Sequence, residues 1–313
     1  MTRQSRFFIF LEALFAVIIW GCTFIATKIA LREVSPATIV WLRFLMGVLV
    51  LGLAVLIRRQ FAFPSKNEWG YFALLGFLGV TFHQWLQANG LKTAAATTTA
   101  WIVTTTPVFM AILGWLFLKE KLGWFRIGGI TIAAFGVLLV VSKGNLQLFS
   151  QGKTLTTGDL LILISAINWA VFSILSRRGL QYHPAARMMF YVMLLGWLFC
   201  CVWIFGFGPG LSELSKLTYR GGISILLLGI FGSGLAYIAW YDALKVLPAS
   251  QLGAFLYIEP LVTLFVAAAI LAEPITVASV FGGGIILVGV YLVNRPDKSN
   301  IIQMEIEAEL PVE

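Results

Sequence analysis

Charged residues are scarce in this chain: Asp, Glu, Lys and Arg make up 12% of its 313 residues, whereas hydrophobic residues make up 59%. Soluble proteins carry about 25% charged and about 45–50% apolar residues, so a soluble fold could not bury this composition. Apolar runs of about 20 residues, the length that crosses a hydrocarbon core, fill nearly the whole sequence. The sequence therefore predicts an all-α membrane protein whose main partner is the lipid bilayer.

Residues that carry enzyme or metal chemistry are also rare. The three cysteines, Cys22, Cys200 and Cys201, fall inside apolar runs, which argues against a disulfide framework and a Cys-rich metal site. The two histidines, His83 and His183, lie far apart with no metal-ligand pattern near them. No phosphate-binding loop and no nucleophile motif occur, so we expect neither ATP use nor enzymatic activity, and no cofactor. An intramembrane enzyme or a non-transporting receptor is the minor alternative.

The net charge of +8 does not indicate a nucleic-acid-binding protein. The basic residues lie in short clusters between apolar runs rather than along one polar face. Such clusters set the orientation of membrane proteins, because Lys and Arg accumulate in cytoplasmic loops. A cytoplasmic N-terminus places most of them on the inner side, so both termini are predicted to be cytoplasmic.

Basic or turn-rich breaks divide the chain into ten apolar runs, which predict ten transmembrane helices. A polar linker over 142–157 separates the first five from the second five, and a polar tail covers 294–313. The two predicted units therefore span 7–141 and 158–293. The predicted helices cover residues 7–29, 36–57, 68–90, 94–118, 124–141, 158–176, 185–206, 220–244, 249–271 and 276–293.

The two units share an internal repeat. Pro107 and Pro260 are 153 residues apart, and so are Glu120 and Glu273. The same spacing links Gly129 to Gly282 and Gly136 to Gly289. A constant spacing over several residue types indicates a duplication. Because five spans is an odd number, the second copy must be inverted, with a pseudo-two-fold axis in the membrane plane, an arrangement that favours transport by alternating access.

Several segments in this order resemble the EamA domains of the drug/metabolite transporter superfamily. They are WGCTF at 20–24, GDL at 158–160 and SAINWA at 165–170, together with the repeated prolines and glutamates. The resemblance covers roughly residues 9–293. It implies two EamA repeats in a bacterial inner membrane, with predicted helices 1–4 and 6–9 around a central cavity and helices 5 and 10 behind them.

The resemblance further implies a carrier of small metabolites, with export of amino acids or related compounds as the leading interpretation. The alternative is a carrier of phosphorylated sugars or nucleotide-sugars, which relatives in the wider superfamily handle. Such anions usually require several cavity cations, and only Arg43 and Lys28 are candidates. Arg43 could attract a carboxylate or pair with a neighbouring helix end, whereas Lys28 is expected to reach the membrane surface.

Glu259 is the most informative single residue because it lies about ten residues into the ninth predicted helix. An ionisable group at that depth costs about 2.5 kcal/mol or more unless it faces a cavity or a partner. It could bind a substrate ammonium group or carry a coupling proton. The alternative is a protonated carboxyl group that is hydrogen-bonded within the bundle.

Polar and aromatic residues at matching depths in the two halves define a predicted substrate cavity for a small molecule. For the threonines the alternative is a hydrogen bond back to their own helix, and for the Trp and Tyr residues it is a place at the lipid interface. The predicted cavity residues are His83, Gln84, Gln87, Trp101, Thr104, Thr105, Tyr237, Trp240, Tyr257 and Glu259.

Two further sets of residues have predicted structural roles. Pro107 and Pro260 each remove a backbone hydrogen bond near the middle of a span, which indicates a kink and a possible hinge. Glycines seven residues apart share one helix face and let two backbones approach closely. We predict such packing, between the fifth and tenth helices, at Gly129, Gly136, Gly282 and Gly289.

Overall fold

The computed structural model describes residues 3–118, 123–145, 156–247, 252 and 255–294, and these contain helices but no strand. Glu120 and most of the predicted tail and linker lie outside the described residues. In the first half, a π-helical segment over Phe77–Phe82 joins α3 to α4. The helices of this half are α1 Arg3–Ala30, α2 Pro36–Ile57, α3 Lys66–Gly76, α4 His83–Gly90, α5 Ala96–Val103, α6 Thr106–Leu118 and α7 Trp124–Val141.

The second half repeats this order of elements. A π-helical segment over Leu227–Leu235 joins α10 to α11, and short 3₁₀ turns precede α10 and α12, over Leu214–Lys216 and Leu256–Ile258. The helices of this half are α8 Thr157–Tyr182, α9 Ala185–Gly206, α10 Tyr219–Leu226, α11 Ala236–Val246, α12 Glu259–Leu271 and α13 Val277–Asn294.

Within the described residues, eight helical stretches are long and apolar enough to cross a membrane, so the chain is a multi-pass membrane protein. Two of the ten predicted spans are outside this set. The stretch 66–90 begins with charged residues and ends with amide side chains, and Leu256–Leu271 is a shorter apolar helix. The count of ten spans therefore stays a prediction. The eight are Phe7–Ala30, Pro36–Ile57, Ala96–Phe117, Trp124–Val141, Thr157–Tyr182, Ala185–Gly206, Tyr219–Leu244 and Val277–Asn294.

Local sequence explains where several helices begin. Ser35 caps α2 by accepting a hydrogen bond from the backbone N–H of Thr38, and Pro36 occupies the first turn, where its missing N–H costs nothing. At α8, Thr156 and Asp159 form a capping box in which each side chain accepts a bond from the other's backbone N–H. These caps fix the corners from which the spans start.

The backbone irregularities fall at equivalent places in the two halves. Each π-helical segment is followed directly by an α-helix. That helix begins at His83 in the first half and at Ala236, 153 residues later, in the second. Likewise, Pro107 and Pro260 are each the second residue of an α-helix that follows a break, where proline is tolerated. The duplication thus extends to the sites where the helices depart from regular geometry.

Contacts between the halves are reciprocal. Helix α1 packs on α11 and α12, as α8 packs on α4, α5 and α6. Helix α2 packs on the second π-helical segment, as α9 packs on the first. Equivalent helices also pack on each other: α2 on α9, and α7 on α13. Two like units around a two-fold axis produce this pattern, so it favours the predicted pseudo-symmetry.

The contact between α7 and α13 is made through the four glycines of the predicted packing face. A Cβ atom on Gly129 would lie 2.6 Å from the carbonyl oxygen of Gly289, and one on Gly289 would lie 2.7 Å from that of Gly129. About two turns further along α7, a Cβ on Gly136 would lie 2.8 Å from the carbonyl oxygen of Gly282. No side chain fits at such distances, so the two backbones touch directly.

On the face of the bundle where α1 ends, here named the Lys28 face, two loops cap each other's helices. The Glu213 carboxylate accepts hydrogen bonds from Ser35 N at 2.9 Å and Thr38 Oγ1 at 2.6 Å, at the start of α2. The Glu33 carboxylate accepts bonds from Thr218 N and Oγ1, both at 2.7 Å, at the start of α10. We name this reciprocal arrangement the loop clasp.

Candidate substrate site

Arg43 occupies the centre of a buried polar cluster. As the eighth residue of α2, it lies about 10 Å inside the start of that helix. Its Nε donates to Ser233 Oγ at 2.7 Å, and its Nη1 donates to Gln84 Oε1 at 2.9 Å. The second π-helical segment supplies the serine and α4 supplies the glutamine, so this guanidinium links three spans.

The charge of Arg43 has no counter-ion among the described residues. Its side chain is 6% exposed, and it is the only buried Lys or Arg in the part of the chain that the structure describes. Both of its hydrogen-bond partners are neutral. Because a buried charge is costly when unpaired, this arrangement is unusual for a purely structural arginine.

His83 directly precedes Gln84 in α4, and Tyr237 packs on Trp20, which bonds to Gly232 beside Ser233. The His83 ring packs on Trp169 with centroids 4.7 Å apart, and its Nδ1 lies 3.2 Å from the carbonyl oxygen of Ser165. We name Arg43, His83, Gln84, Ser233 and Tyr237 the Arg43 cluster. Three of its members were predicted cavity residues.

An aromatic group borders the cluster on the side of α1. Trp20 donates from Nε1 to the carbonyl oxygen of Gly232 at 3.1 Å. Its ring centroid lies 5.6 Å from that of Tyr237 and 5.2 Å from that of Trp240. Trp240, a predicted cavity residue, is therefore joined to the Arg43 cluster through Trp20.

Glu259 lies on the other side of α1, as the first residue of α12. Its backbone faces α1 so closely that a Cβ on Gly21 would be 2.8 Å from its carbonyl oxygen, and Thr263 Oγ1 lies 2.9 Å and 3.0 Å from the carbonyl oxygens of Gly21 and Glu259. The partly buried carboxylate forms no hydrogen bond or ion pair with any described residue. At the equivalent position of the first half, Thr106 bonds back to the Val103 carbonyl oxygen at 2.7 Å.

Trp101 and Tyr257 are placed away from these groups, against α13. Trp101 donates from Nε1 to Ser279 Oγ at 3.2 Å, and its ring lies directly on Gly283. The Tyr257 hydroxyl accepts a bond from Asn294 Nδ2 at 2.9 Å. Both side chains join the hydrophobic cluster between α7 and α13.

The predicted threonines bond to their own helix. Thr104 Oγ1 donates to the Ala100 carbonyl oxygen at 2.8 Å, and Thr105 Oγ1 donates to that of Ile102 at 2.6 Å. These bonds satisfy carbonyl groups where the span is interrupted. Gln87, one turn beyond His83, is partly buried.

Two polar residues that the sequence analysis did not single out contact the π-helical segments. Ser233 bonds to Arg43 from within the second segment, and Asn168 Nδ2 donates to the Leu78 carbonyl oxygen in the first at 2.8 Å. A π-helical turn leaves backbone groups unpaired, and such turns are frequent at functional sites. The available signal was a polar residue inside an otherwise apolar run.

A polar clamp closes the Lys28 face beside the site. The Lys28 ammonium lies 3.5 Å from the Glu273 carboxylate and donates to the Ala94 carbonyl oxygen at 2.7 Å. The Glu273 carboxylate accepts bonds from Ala96 N at 2.8 Å and Thr97 N at 3.1 Å, at the start of α5. Lys28 therefore pairs with the turn that follows α12, and its expected reach toward the membrane surface stays a prediction.

Two cavities of the structure lie away from these groups. One of about 410 Å³ is bordered by Lys143, Thr276 and Phe281 at the ends of α7 and α13. The other, of about 250 Å³, lies among Val40, Thr81 and other residues of α2, the first π-helical segment and α9. Neither is bordered by a predicted cavity residue. The Arg43 cluster borders neither of these two cavities.

A buried polar layer inside a multi-pass helical bundle is characteristic of membrane transport proteins, and comparisons with other proteins agree. The model of the EamA-like transporter family matches this chain twice, over residues 7–142 and 156–295. The chain belongs to this family.

Relatives of similar length cover nearly the whole chain. An uncharacterized transporter of Archaeoglobus fulgidus is 31% identical over 276 residues, which are 88% of this chain and 93% of that protein. The uncharacterized transporter YoaV of Bacillus subtilis is 23% identical over 88% of this chain and 92% of its own length. A solved crystal structure with 18% identity has a TM-score of 0.65 and covers 98% of this chain and 100% of its own, which shows a shared fold.

Proposed function

We propose that this protein is a secondary carrier that exports small metabolites by alternating access of its two halves. Amino acids and related compounds are the leading candidate substrates. The observation that carries the proposal is the reciprocal packing of α1 on α11 and α12 and of α8 on α4, α5 and α6. When two like units of opposite orientation pack around one site, one asymmetric conformation can be exchanged for its mirror at small energetic cost.

Glu259 is the residue that we assign to substrate or proton binding. Its carboxylate lies at the break before α12 and has no partner among the described residues. The cost of an ionisable group at this depth, about 2.5 kcal/mol or more, is offset when it binds a substrate ammonium group or a proton. Coupling to protons requires such an acid, whereas uncoupled export does not.

The alternative substrate class, phosphorylated sugars, has less support. Such anions call for several cations, and Arg43 is the only buried one in the described part of the chain. Lys28, the other candidate, is already bound to Glu273 and to the Ala94 carbonyl oxygen. A solute with a single anionic group fits these residues better.

In the membrane, we propose that both termini lie in the cytoplasm and that the Lys28 face is external. The basic clusters support this orientation through their preference for cytoplasmic loops. The two units would then span residues 7–141 and 158–293 of a bacterial inner-membrane protein, in opposite orientations.

Counterflow in proteoliposomes tests the carrier proposal. Vesicles that contain the purified protein are loaded with one unlabelled amino acid and diluted into a trace of the same labelled compound, for each of the twenty amino acids. A carrier accumulates label transiently and saturably, and empty vesicles do not. Linear, unsaturable entry, or no entry with any member of the panel, would refute the proposal.

A further inference from the structure

The Arg43 cluster contains hydrogen-bond donors that have no acceptor. Arg43 uses Nε and Nη1 for Ser233 and Gln84, which leaves Nη2 without an acceptor among the described residues. Gln84 uses its carbonyl oxygen for Arg43, so its NH₂ group is left over. The hydroxyl of Tyr237 also has no hydrogen-bond partner in the described part of the chain. The guanidinium, the Gln84 amide and the Tyr237 hydroxyl thus each carry a donor that has no acceptor among the described residues.

These donors are not sealed inside the protein. None of them is among the side-chain polar atoms that are both fully buried and unpaired. Nη2 lies beside Gly232: a Cβ atom added to this glycine would lie in van der Waals contact with Nη2, at 3.7 Å, and would meet Thr23 Cγ2 at 2.9 Å. Glycine at this position leaves Nη2 uncovered by a side chain of the second π-helical segment, and a solute would reach it when the two halves move apart.

The charge balance indicates the kind of group that belongs there. A guanidinium that is buried among neutral partners is stabilised by an anion, and planar carboxylates match its donor fork. Since the described residues supply no second buried cation, a monoanion suits the cluster better than a phosphate dianion. The neutral donors of Gln84 and Tyr237 would satisfy the remaining lone pairs of a carboxylate.

We propose that Arg43, Gln84 and Tyr237 form a subsite that binds a carboxylate group of the transported solute. This inference rests on the proposed carrier function and narrows it, because the substrate must then be an acid. Glu259, across α1, would serve a different part of the solute or the coupling proton. Ser233 positions the guanidinium through Nε and need not touch the solute.

The test uses an internal competitor for the subsite. Gln84→Glu keeps the side-chain length but places a carboxylate within hydrogen-bond reach of Arg43, so the protein supplies its own anion. We expect this variant to lose counterflow of every amino acid that the wild type exchanges, and to unfold at a higher temperature than the wild type, because the guanidinium gains an ion pair. A merely structural role for Arg43 would leave exchange unchanged.

Two further variants keep the test decisive. Arg43→Gln is expected to raise KM about 30-fold or more, the loss typical of a broken buried charge contact. Arg32→Gln, at an exposed arginine on the Lys28 face, serves as the matched control and should exchange like the wild type. Tyr237→Phe removes one donor while keeping the ring contact with Trp20, and should raise KM by a smaller factor.

Competition by analogues separates this inference from the proposed function. The probes are the twenty amino acids and their primary amides, which keep the amine and lose the carboxylate. We expect the acids to inhibit counterflow and the amides to fail. Amides that inhibit the wild type as well as the acids do, or unchanged KM in both Arg43→Gln and Gln84→Glu, would overturn the subsite and leave the carrier intact. A wild type that exchanges no probe would overturn the carrier proposal and the subsite together.

Discussion

Where the first half carries Arg43, the second half carries Val192, and where the second half carries Glu259, the first carries Thr106. The backbones at these positions nevertheless agree. A Cβ on Gly229 would lie 3.1 Å from the carbonyl oxygen of Arg43, and one on Gly76, 153 residues earlier, would lie 2.6 Å from that of Val192. The duplicated units have thus kept their packing surfaces and diverged in their ionisable side chains. In the proposed carrier, the shared packing surfaces would serve the conformational change, and the differing ionisable side chains would serve recognition of the solute.

The largest expected effect comes from removing the carboxylate charge of Glu259, which has no counterpart in the first half. Glu259→Gln keeps the side-chain shape, and we expect it to lower counterflow about 100-fold, because a buried charge contact is worth about 2–5 kcal/mol. The matched exchange in the first half, Thr106→Val, removes only a bond to its own helix and should transport nearly as well as the wild type. If Glu259→Gln expresses normally and transports at the wild-type rate across the pH range, the residue has no part in the mechanism.

The next effect concerns a surface that both halves share. Gly129→Ala and Gly289→Ala should each lower the free energy of unfolding by about 1–3 kcal/mol, the usual cost of overpacking, because each methyl group would meet the facing backbone. Gly128→Ala and Gly284→Ala are matched controls on the same helices, since nothing lies within 4 Å of either added Cβ. They should be neutral or slightly stabilising, owing to the higher helix propensity of alanine. Denaturant titration in detergent measures all four, and equal losses at all four would argue against the direct backbone contact.

A smaller effect is expected at the clamp of the Lys28 face. Glu273→Gln removes the ion pair with Lys28 but keeps an acceptor for the N–H groups at the start of α5. A partly exposed ion pair contributes about 0.2–1 kcal/mol, so we expect opening of this face to increase about two- to fivefold.

The measurement is the rate at which an impermeant thiol reagent, added outside, labels a cysteine introduced at Gln87 in a cysteine-free background. Lys143→Gln, at an exposed lysine outside the clamp, is the control. Slower labelling in Glu273→Gln than in the control would mean that the ion pair does not hold this face closed.

The smallest effect should appear in the loop clasp, as a dependence of stability on pH. Burial by itself would raise the pKa of Glu213, but hydrogen bonds from Thr38 and Ser35 outweigh it and hold the pKa below its ordinary value. For Glu33, the bonds from Thr218 likewise lower the pKa. A lowered pKa in the folded state means stability that is present above the ordinary pKa and lost as the pH falls through the folded one.

Glu213→Gln should therefore be slightly less stable than the wild type at neutral pH. The difference should shrink as the pH falls below about 4.3, the ordinary glutamate value. Thermal unfolding at several pH values measures it. A gap that widens on acidification would contradict the assigned hydrogen bonds.

The parts of the fold that were predictable depend on local chemistry. The predicted spans 36–57 and 185–206 coincide with α2 and α9, because Ser35 and Pro36 in one case and Pro184 in the other mark a helix start. It was less predictable which face of each helix points toward the centre of the bundle. In spans that are apolar on all sides, periodicity does not distinguish a side chain that faces the centre from one that faces another helix, so Trp101 and Tyr257 gave no sign that they pack on α13.

Contacts between residues that are far apart in the sequence could not be predicted either. Nothing near Lys28 in the sequence indicates Glu273, and nothing near Arg43 indicates Ser233, because each pair joins the two halves of the chain. The π-helical segments were not predicted either, because only a polar residue within each apolar run, such as Ser233, sets them apart. They nevertheless decide which residues of α4 and α11 turn toward Arg43.

The loop clasp restricts how the Lys28 face can move. Because Glu33 and Glu213 tie the α1–α2 corner to the corner before α10, those two corners must travel as one piece. Any opening of this face must then run along the opposite edge, between α1 and the pair α5 and α12, where Lys28 meets Glu273. In the proposed transport cycle this face would have one border that stays closed and one that opens, and a departing solute would pass directly beside the lysine ammonium.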